Sequence, residues 1–267
     1  MKVLFVLVFS FLLAGCTGTA DRKEDASPEP VISKEVIEHY VLNSEGLSLE
    51  RRLLKLDSML ATLSKDSVAF RKTILLLQEP LSHPNSRYRN EDLYIKLLQA
   101  QLNSPWYIDA AKEAAKNKLQ LVMQNRKGNP ANDFTYITPG GLKKRMYAIN
   151  ADHLILFFYN PECQACKEMK EALERSELVK SKLKTKKLKI LAVYIDKDEA
   201  LWRKHLNEMP EQWVVGRDEN EFLYRNNVYD LKAIPTVYLL TKEKKVLLKD
   251  CMDLSLIEKN LDSKTEH

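Results

Sequence analysis

Cys163 and Cys166, in the stretch "NPECQACKEM" (residues 160–169), are the residues whose types and spacing can do chemistry. Two cysteines with two residues between them can be a redox dithiol, half of a zinc site, or a pair of inert thiols in a helix. A structural zinc site needs four ligands, usually a second such cysteine pair or two closely spaced histidines. The five histidines, His39, His83, His153, His205 and His267, are scattered along the chain, so no metal is expected. Position favours the dithiol. The apolar run "HLILFFY" (153–159) precedes the pair and a Lys- and Glu-rich segment follows it, which predicts a strand and then a helix with Cys163 at the helix start. Free backbone N–H groups and the positive end of the helix dipole stabilise a thiolate there. Cys166 falls one turn along the same face, within reach of the first sulfur. Such a pair suits exchange: one thiolate attacks a disulfide and the other thiol resolves the mixed disulfide.

The elements that must hold this pair lie after Pro130. Strands are expected at 153–159, 188–195, 212–216, 236–241 and 245–249, with helical stretches near 164–183, 198–208, 219–226 and 254–262. Strands alternating with helices imply an α/β sheet covered on both faces. The run "PTVYLLTKEKKVLLK" differs: two strands joined by a short Lys/Glu turn predict an antiparallel hairpin. Pro235 stands at the entrance of the first of these strands, after Ile234. A proline there can be cis and can turn the preceding backbone toward a neighbouring loop.

Residues 33–128 read as a separate all-helical domain ahead of a domain over 129–267. Leu49, Leu53, Leu56, Leu60 and Leu63 recur at spacings of 4, 3, 4 and 3, one helix face. Phe70, Ile74 and Leu77 mark a second helix expected to stop at Pro80. Asn90 is placed to cap a third, and "SPW" (104–106) predicts a Ser cap with Pro at the first helical position of a fourth.

Composition limits the partners. Lys plus Arg is 42 and Asp plus Glu is 37, a net charge of +5. An excess that small, interspersed with acids, is not the footprint of a nucleic-acid binder. The N-terminus, "MKVLFVLVFSFLLAGC", has Lys2, an apolar run from Val3 to Leu13 and small residues before Cys16. The run falls short of the ~20 residues that span a bilayer and reads as a cleaved secretory leader over 1–15. "LAGC" resembles the bacterial lipobox, which implies that Cys16 becomes the first mature residue and carries acyl chains. Residues 16–32, rich in Gly, Pro, Ser and charge, then form a flexible tether. The expected location is the cell envelope, lipid-anchored outside the cytoplasm, where disulfides persist. Of four cysteines, Cys251 remains; it reads as a small, partly buried hydrophobe.

The strand–CxxC–helix, the later "IPT" and the final hairpin with its helix resemble the thioredoxin fold over roughly residues 130–263. The arrangement is most similar to the TlpA/ResA-like branch of membrane-tethered thiol–disulfide oxidoreductases, whose N-terminal hairpin "NDFTYITPGGLKKRMYAI" also resembles. The helical region is similar to an all-helical domain that precedes such domains in bacterial lipoproteins. The resemblance implies Cys163 as nucleophile, Cys166 as resolving thiol, Pro235 as the cis-proline, and Ile234 as the residue whose backbone meets a substrate chain. It implies no cofactor, and as partners disulfide-containing exported proteins or an upstream membrane reductase. The chain departs from the pattern at Glu162, where the family usually has Trp; a carboxylate beside Cys163 opposes thiolate formation. It departs again at Met169, where the branch often has Glu; Glu168 is one place earlier, and the proton-transfer acid is unassigned. Asn160 stands where peroxiredoxins have Thr, which counts against a peroxidase. The functional expectation is a membrane-anchored reductase or isomerase of exported proteins; the alternative is a redox-inactive adaptor that keeps the fold.

Overall fold

Polar side chains start three helices in the first half of the chain. In a computed structural model, which describes residue 35 and residues 46–84 and 86–262, these helices are α1 (Leu49–Leu63), α2 (Ser67–Ser82) and α3 (Glu91–Asn103). The leader, Cys16 and most of the tether-to-helix segment lie outside the described residues. Ser48 Oγ accepts from the Arg51 N–H at 3.4 Å, Asp66 Oδ1 from Val68 at 2.8 Å, and Asn90 Oδ1 from Leu93 at 2.9 Å. Each bond satisfies a donor that the helix itself cannot. Leu56, Leu60, Phe70, Ile74, Leu77, Leu93 and Leu97 meet in one buried cluster, to which α4 (Asp109–Met123) adds Ala115 and Val122.

Two helix limits differ from expectation. Helix α2 does not stop at Pro80 but runs on to Ser82. A proline in the last turn removes only one intrahelical donor, and continuing the helix seats Leu81, fully buried, in the core. "SPW" does not begin α4. Ser104 Oγ instead accepts from the Trp106 N–H at 3.2 Å in a tight turn, and the Trp106 indole donates to the Ser64 carbonyl at 2.9 Å, tying that turn to the end of α1.

The second half builds a seven-stranded mixed sheet in the order β2-β1-β5-β4-β3-β6-β7. Its strands are β1 (Thr135–Ile137), β2 (Lys143–Arg145), β3 (His153–Tyr159), β4 (Leu188–Tyr194), β5 (Val214–Arg217), β6 (Thr236–Thr241) and β7 (Val246–Leu248). β3, β4 and β5 are parallel; β6 lies antiparallel to β3, and β6 and β7 form the expected hairpin. All seven residues of β3 are buried, as a strand covered on both faces requires. Its odd-numbered residues Ile155, Phe157 and Tyr159 join a core with α5 (Gln164–Arg175), α6 (Glu177–Lys184), α7 (Glu199–Lys204) and α9 (Leu254–Asp262). Its even-numbered residues Leu154, Leu156 and Phe158 join a second core with Tyr136, Leu223 and Tyr229. The fold is thus the thioredoxin-like α/β sheet, preceded by a helical region over residues 49–123.

The helix expected over 164–183 is broken at Ser176. Its N–H closes α5 on the Ala172 carbonyl at 3.2 Å, and its Oγ accepts from Val179 at 3.1 Å to start α6. The stretch near 198–208 divides into α7 and a 3-10 turn, Leu206–Glu208. The one near 219–226 shrinks to α8 (Phe222–Arg225), because Asn220 and Glu221 take left-handed φ values of 58° and 57° that a helix excludes. Among the described residues no helix is long and apolar enough to cross a membrane.

A charged seam joins the helical region to the sheet. The side chain of Lys249, just past β7, is 8% exposed; its Nζ pairs with Glu91 at 2.9 Å and donates to the Val122 and Gln124 carbonyls at 3.0 and 2.8 Å. Arg89 pairs with Asp250 at 2.5 Å beside it. Removing the Lys249 cation takes this donor from two carbonyls and leaves the Glu91 carboxylate with Arg89 at 4.0 Å, so Lys249→Ala should cost about 2 kcal/mol in urea unfolding. A loss within experimental error would show that this seam does not hold the two parts together.

Asp218, the first residue after β5, is 1% exposed and accepts from the Leu223 N–H at 2.8 Å. Burial pushes its carboxyl up to about 6, against the opposing pull of backbone N–H groups of Leu223 and Glu219. The folded-state value lies above the unfolded one of about 4, so the native chain holds the extra proton across that interval. Its contribution therefore falls as pH rises from about 4 to about 6 and stays low above. Asp218→Asn keeps an acceptor for Leu223 and removes the titration. Denaturation curves should show the variant losing that slope and gaining stability relative to the parent above pH ~6; identical slopes would contradict it.

Candidate active site

β3 delivers the chain to the site and the turn after it sets the cysteines. Asn160 shapes that turn: its Oδ1 accepts from the Glu162 N–H at 2.9 Å and its carbonyl from the Cys163 N–H at 3.1 Å. Cys163 is then the N-cap of α5, its Sγ accepting from the Cys166 N–H at 3.2 Å. In this position the sulfur takes the role that an oxygen plays at ordinary caps, and a thiolate there accepts a stronger bond than a thiol. The two sulfurs are joined as a disulfide with a Cα–Cα separation of 5.2 Å. Their surroundings differ. Cys163 is half-buried at the rim, whereas Cys166 is 2% exposed and packs into the core with Met169 and Leu173.

The opposite wall comes from the segment before β6. The Ile234–Pro235 peptide bond is cis, and the Ile234 carbonyl oxygen lies 3.6 Å from Cys163 Sγ. Pro235 is buried; Ile234 is half-buried and packs against the same core as the cysteines. Thr236 Oγ1 donates to the Ala233 carbonyl at 2.7 Å and holds this turn. The structure therefore brings Cys163, Cys166, Ile234 and Pro235 together. Glu162 is exposed at the same rim. Glu168 faces outward, accepting from Gln164 Nε2 at 3.0 Å, while Met169 points into the core at 4% exposure. Cys16 falls outside the described residues. Cys251 is half-buried; its N–H donates to the Val237 carbonyl at 2.9 Å, and burial raises its thiol.

Behind Cys166 is a feature that sequence reasoning missed. A cavity of about 20 Å³ is bounded by Cys166, Tyr159, Asn160, Lys170, His205 and Glu208 among others. His205 caps the start of the 3-10 turn after α7 and Glu208 ends that turn; His205 Nδ1 lies 2.7 Å from Glu208 Oε1. In the sequence His205 is an isolated histidine almost forty positions from Cys166, and no spacing rule links it to the dithiol.

A second, wider crevice of about 650 Å³ opens on the β1–β2 side of the sheet, between Phe134, Lys143, Arg145, Asp218, Phe222 and Arg225. Its exposed cations are already paired, Lys143 with Glu219 and Arg145 with Asp133.

Residues 150–246 match the family model described as thioredoxin-like. The chain is similar to a thioredoxin-like protein from Bacteroides caccae, with 37% identity and a TM-score of 0.76 over 85% of this chain and 79% of that one. It also resembles the C-terminal domain of an uncharacterised protein from Bacteroides fragilis, 42% identical, with a TM-score of 0.50 over 51% of this chain and 97% of that domain. Nucleoredoxin from Danio rerio is 24% identical over 71% of the chain, which spans about half (48%) of that curated relative's length. Fold, disulfide-paired cysteines and the likeness to the Bacteroides caccae protein over 79% of its length converge: the chain belongs to the thioredoxin-like family.

Proposed function

We propose that this protein is a membrane-anchored thiol–disulfide oxidoreductase of the TlpA/ResA-like branch, a reductase or isomerase of exported proteins that works by exchange at Cys163 and Cys166. The observation that carries this reading is the asymmetry of the pair: a rim sulfur capping a helix, bonded to a sulfur buried behind it. The rim position lets Cys163 meet a client disulfide, and the Cys166 N–H with the helix dipole favours its thiolate. Attack forms a bond between Cys163 and one client sulfur and releases the other as a thiolate. Cys166 then attacks Cys163 Sγ; the intramolecular disulfide forms, the mixed disulfide breaks, and the second client sulfur leaves with its electron pair and takes a proton. The client disulfide is reduced and the dithiol oxidised. The Ile234 backbone, at the same rim, supplies a carbonyl to a client strand lying across the site in short β-augmentation. Cys16 carries the lipid, which places the domain outside the cytoplasm on its tether; two acyl chains are what durable anchoring needs.

Replacing the resolving thiol tests this reading. Cys166→Ser should hold mixed disulfides between Cys163 and its clients, visible as reductant-sensitive adducts in envelope extracts and absent from the Cys163→Ser, Cys166→Ser double variant. Recovery of no such adduct, together with a Cys163–Cys166 couple that cannot be reversibly reduced, would leave the adaptor reading in its place.

Glu162 adds a second expectation. Its exposed carboxylate beside Cys163 opposes ionisation of the thiol, so Glu162→Gln should lower the Cys163 pKa measured by thiolate absorbance and make the couple more oxidising. A parent thiol with a pKa well below about 6 would overturn the idea that Glu162 restrains it.

A further inference from the structure

Cys163 can exchange its proton with solvent at the rim, but Cys166, 2% exposed, cannot. If the pair works by exchange as proposed above, the Cys166 proton must leave through the cavity behind it when that thiol resolves the mixed disulfide. The cavity of about 20 Å³ accommodates one water. The charged and titratable groups that bound it are Tyr159 from β3, Lys167 and Lys170 from α5, His205 at the cap of the 3-10 turn and Glu208 at its end. Burial holds Tyr159 protonated, far above its ordinary value. A lysine ammonium has three donors and no acceptor, so neither lysine suits the part of a proton acceptor. Glu162 and Glu168, the carboxylates nearest in sequence, are exposed and do not bound the cavity.

The remaining pair has the geometry of an oriented base. His205 Nδ1 and Glu208 Oε1 are 2.7 Å apart, and Lys170 Nζ donates to the Glu208 carbonyl at 2.8 Å, fixing the turn to α5 one helical turn beyond Cys166. A carboxylate on Nδ1 keeps the proton of neutral imidazole there, leaves the lone pair on Nε2 and stabilises the imidazolium once formed. We infer that His205, held by Glu208, is the proton acceptor for Cys166, acting through a water in this cavity, and so fills from another element the role that Met169 leaves open. As Cys166 Sγ bonds to Cys163 Sγ and the client sulfur departs with its electron pair, the Cys166 proton passes through the water to His205 Nε2. His205, 20% exposed, returns it to solvent. Its part is to assist resolution, not the first attack.

The two steps separate with a symmetrical aromatic disulfide such as 5,5′-dithiobis(2-nitrobenzoate), added to reduced full-length protein carrying Cys16→Ser and Cys251→Ser. Attack by Cys163 releases one coloured thiolate and resolution by Cys166 releases the second. His205→Gln should leave the first release unchanged and slow the second about 100-fold near neutrality. The deficit should shrink as pH rises and hydroxide takes the proton directly. Glu208→Gln, which keeps an acceptor but loses the charge, should slow it about tenfold. In His205→Ala, added imidazole should restore the second release; a merely structural histidine would not be rescued and would disturb the first release too. A second release in His205→Gln that matches the parent at every pH, or is slowed by one factor at every pH, overturns the assignment. A parent that gives no second release overturns the dithiol reading itself.

Discussion

One pairing places the whole site: Phe158, the penultimate residue of β3, lies opposite Thr236, the first residue of β6. The cysteine pair hangs from the C-terminal end of β3 and Pro235 from the N-terminal end of β6, so their separation is set by that register. A slip by one residue would turn Phe158 out of its core and carry Pro235 to the other face. The slip is prevented because β3 buries all seven side chains, odd positions in one core and even ones in the other. With both faces committed, only one register satisfies both. Ladders on each side, parallel to β4 and antiparallel to β6, then make β3 the most constrained strand in the sheet.

This constraint is also why so much of the fold is legible in the sequence. "HLILFFY" announces a doubly buried strand by its unbroken apolar run, and "IPTVYLLT" announces its partner by a proline that only an entrance position tolerates. Asn90 is legible as a cap because its side chain has a single local job. The misread elements are those decided by tertiary packing. Pro80 reads as a stop until Leu81 is seen to need a place in the core. Ser104 reads as a helix cap until the Trp106 indole is found bonded to Ser64, forty-two positions away. Ser176 interrupts a helix that composition alone would continue, and its hydroxyl is fixed by Glu258 on α9.

The same division runs through the site. Cys163, Cys166, Ile234 and Pro235 lie on two short motifs whose spacing carries their chemistry, and they assemble because β3 and β6 pair. His205 and Glu208 belong to no motif. They come to line the same cavity as Cys166 because α7 ends early and the chain turns beside α5, where Lys170 donates to the Glu208 carbonyl. Chemistry held in a motif can be read from residue types; chemistry held by a turn packing onto a helix depends on distances that appear only in the folded chain.

The asymmetry of the two sulfurs links these levels. In the proposed exchange the nucleophile must be accessible and its thiolate favoured, conditions that the rim position and helix terminus of Cys163 meet. In the proposed exchange the resolving thiol must also be close, yet shielded so that it does not react first with a client, a condition that the burial of Cys166 meets. Burial, however, raises the cost of ionising a thiol. A dithiol that places one sulfur in the core thus requires a second polar arrangement behind it, and the apolar Met169 does not provide one. The helical region bears on this site only from a distance. Its ion pairs grip Lys249 and Asp250, and the next residue, Cys251, hydrogen-bonds to Val237 of β6, two positions past Pro235. The strand that follows Ile234 and Pro235 is thereby anchored from both sides, by β3 in the sheet and by the helices through β7.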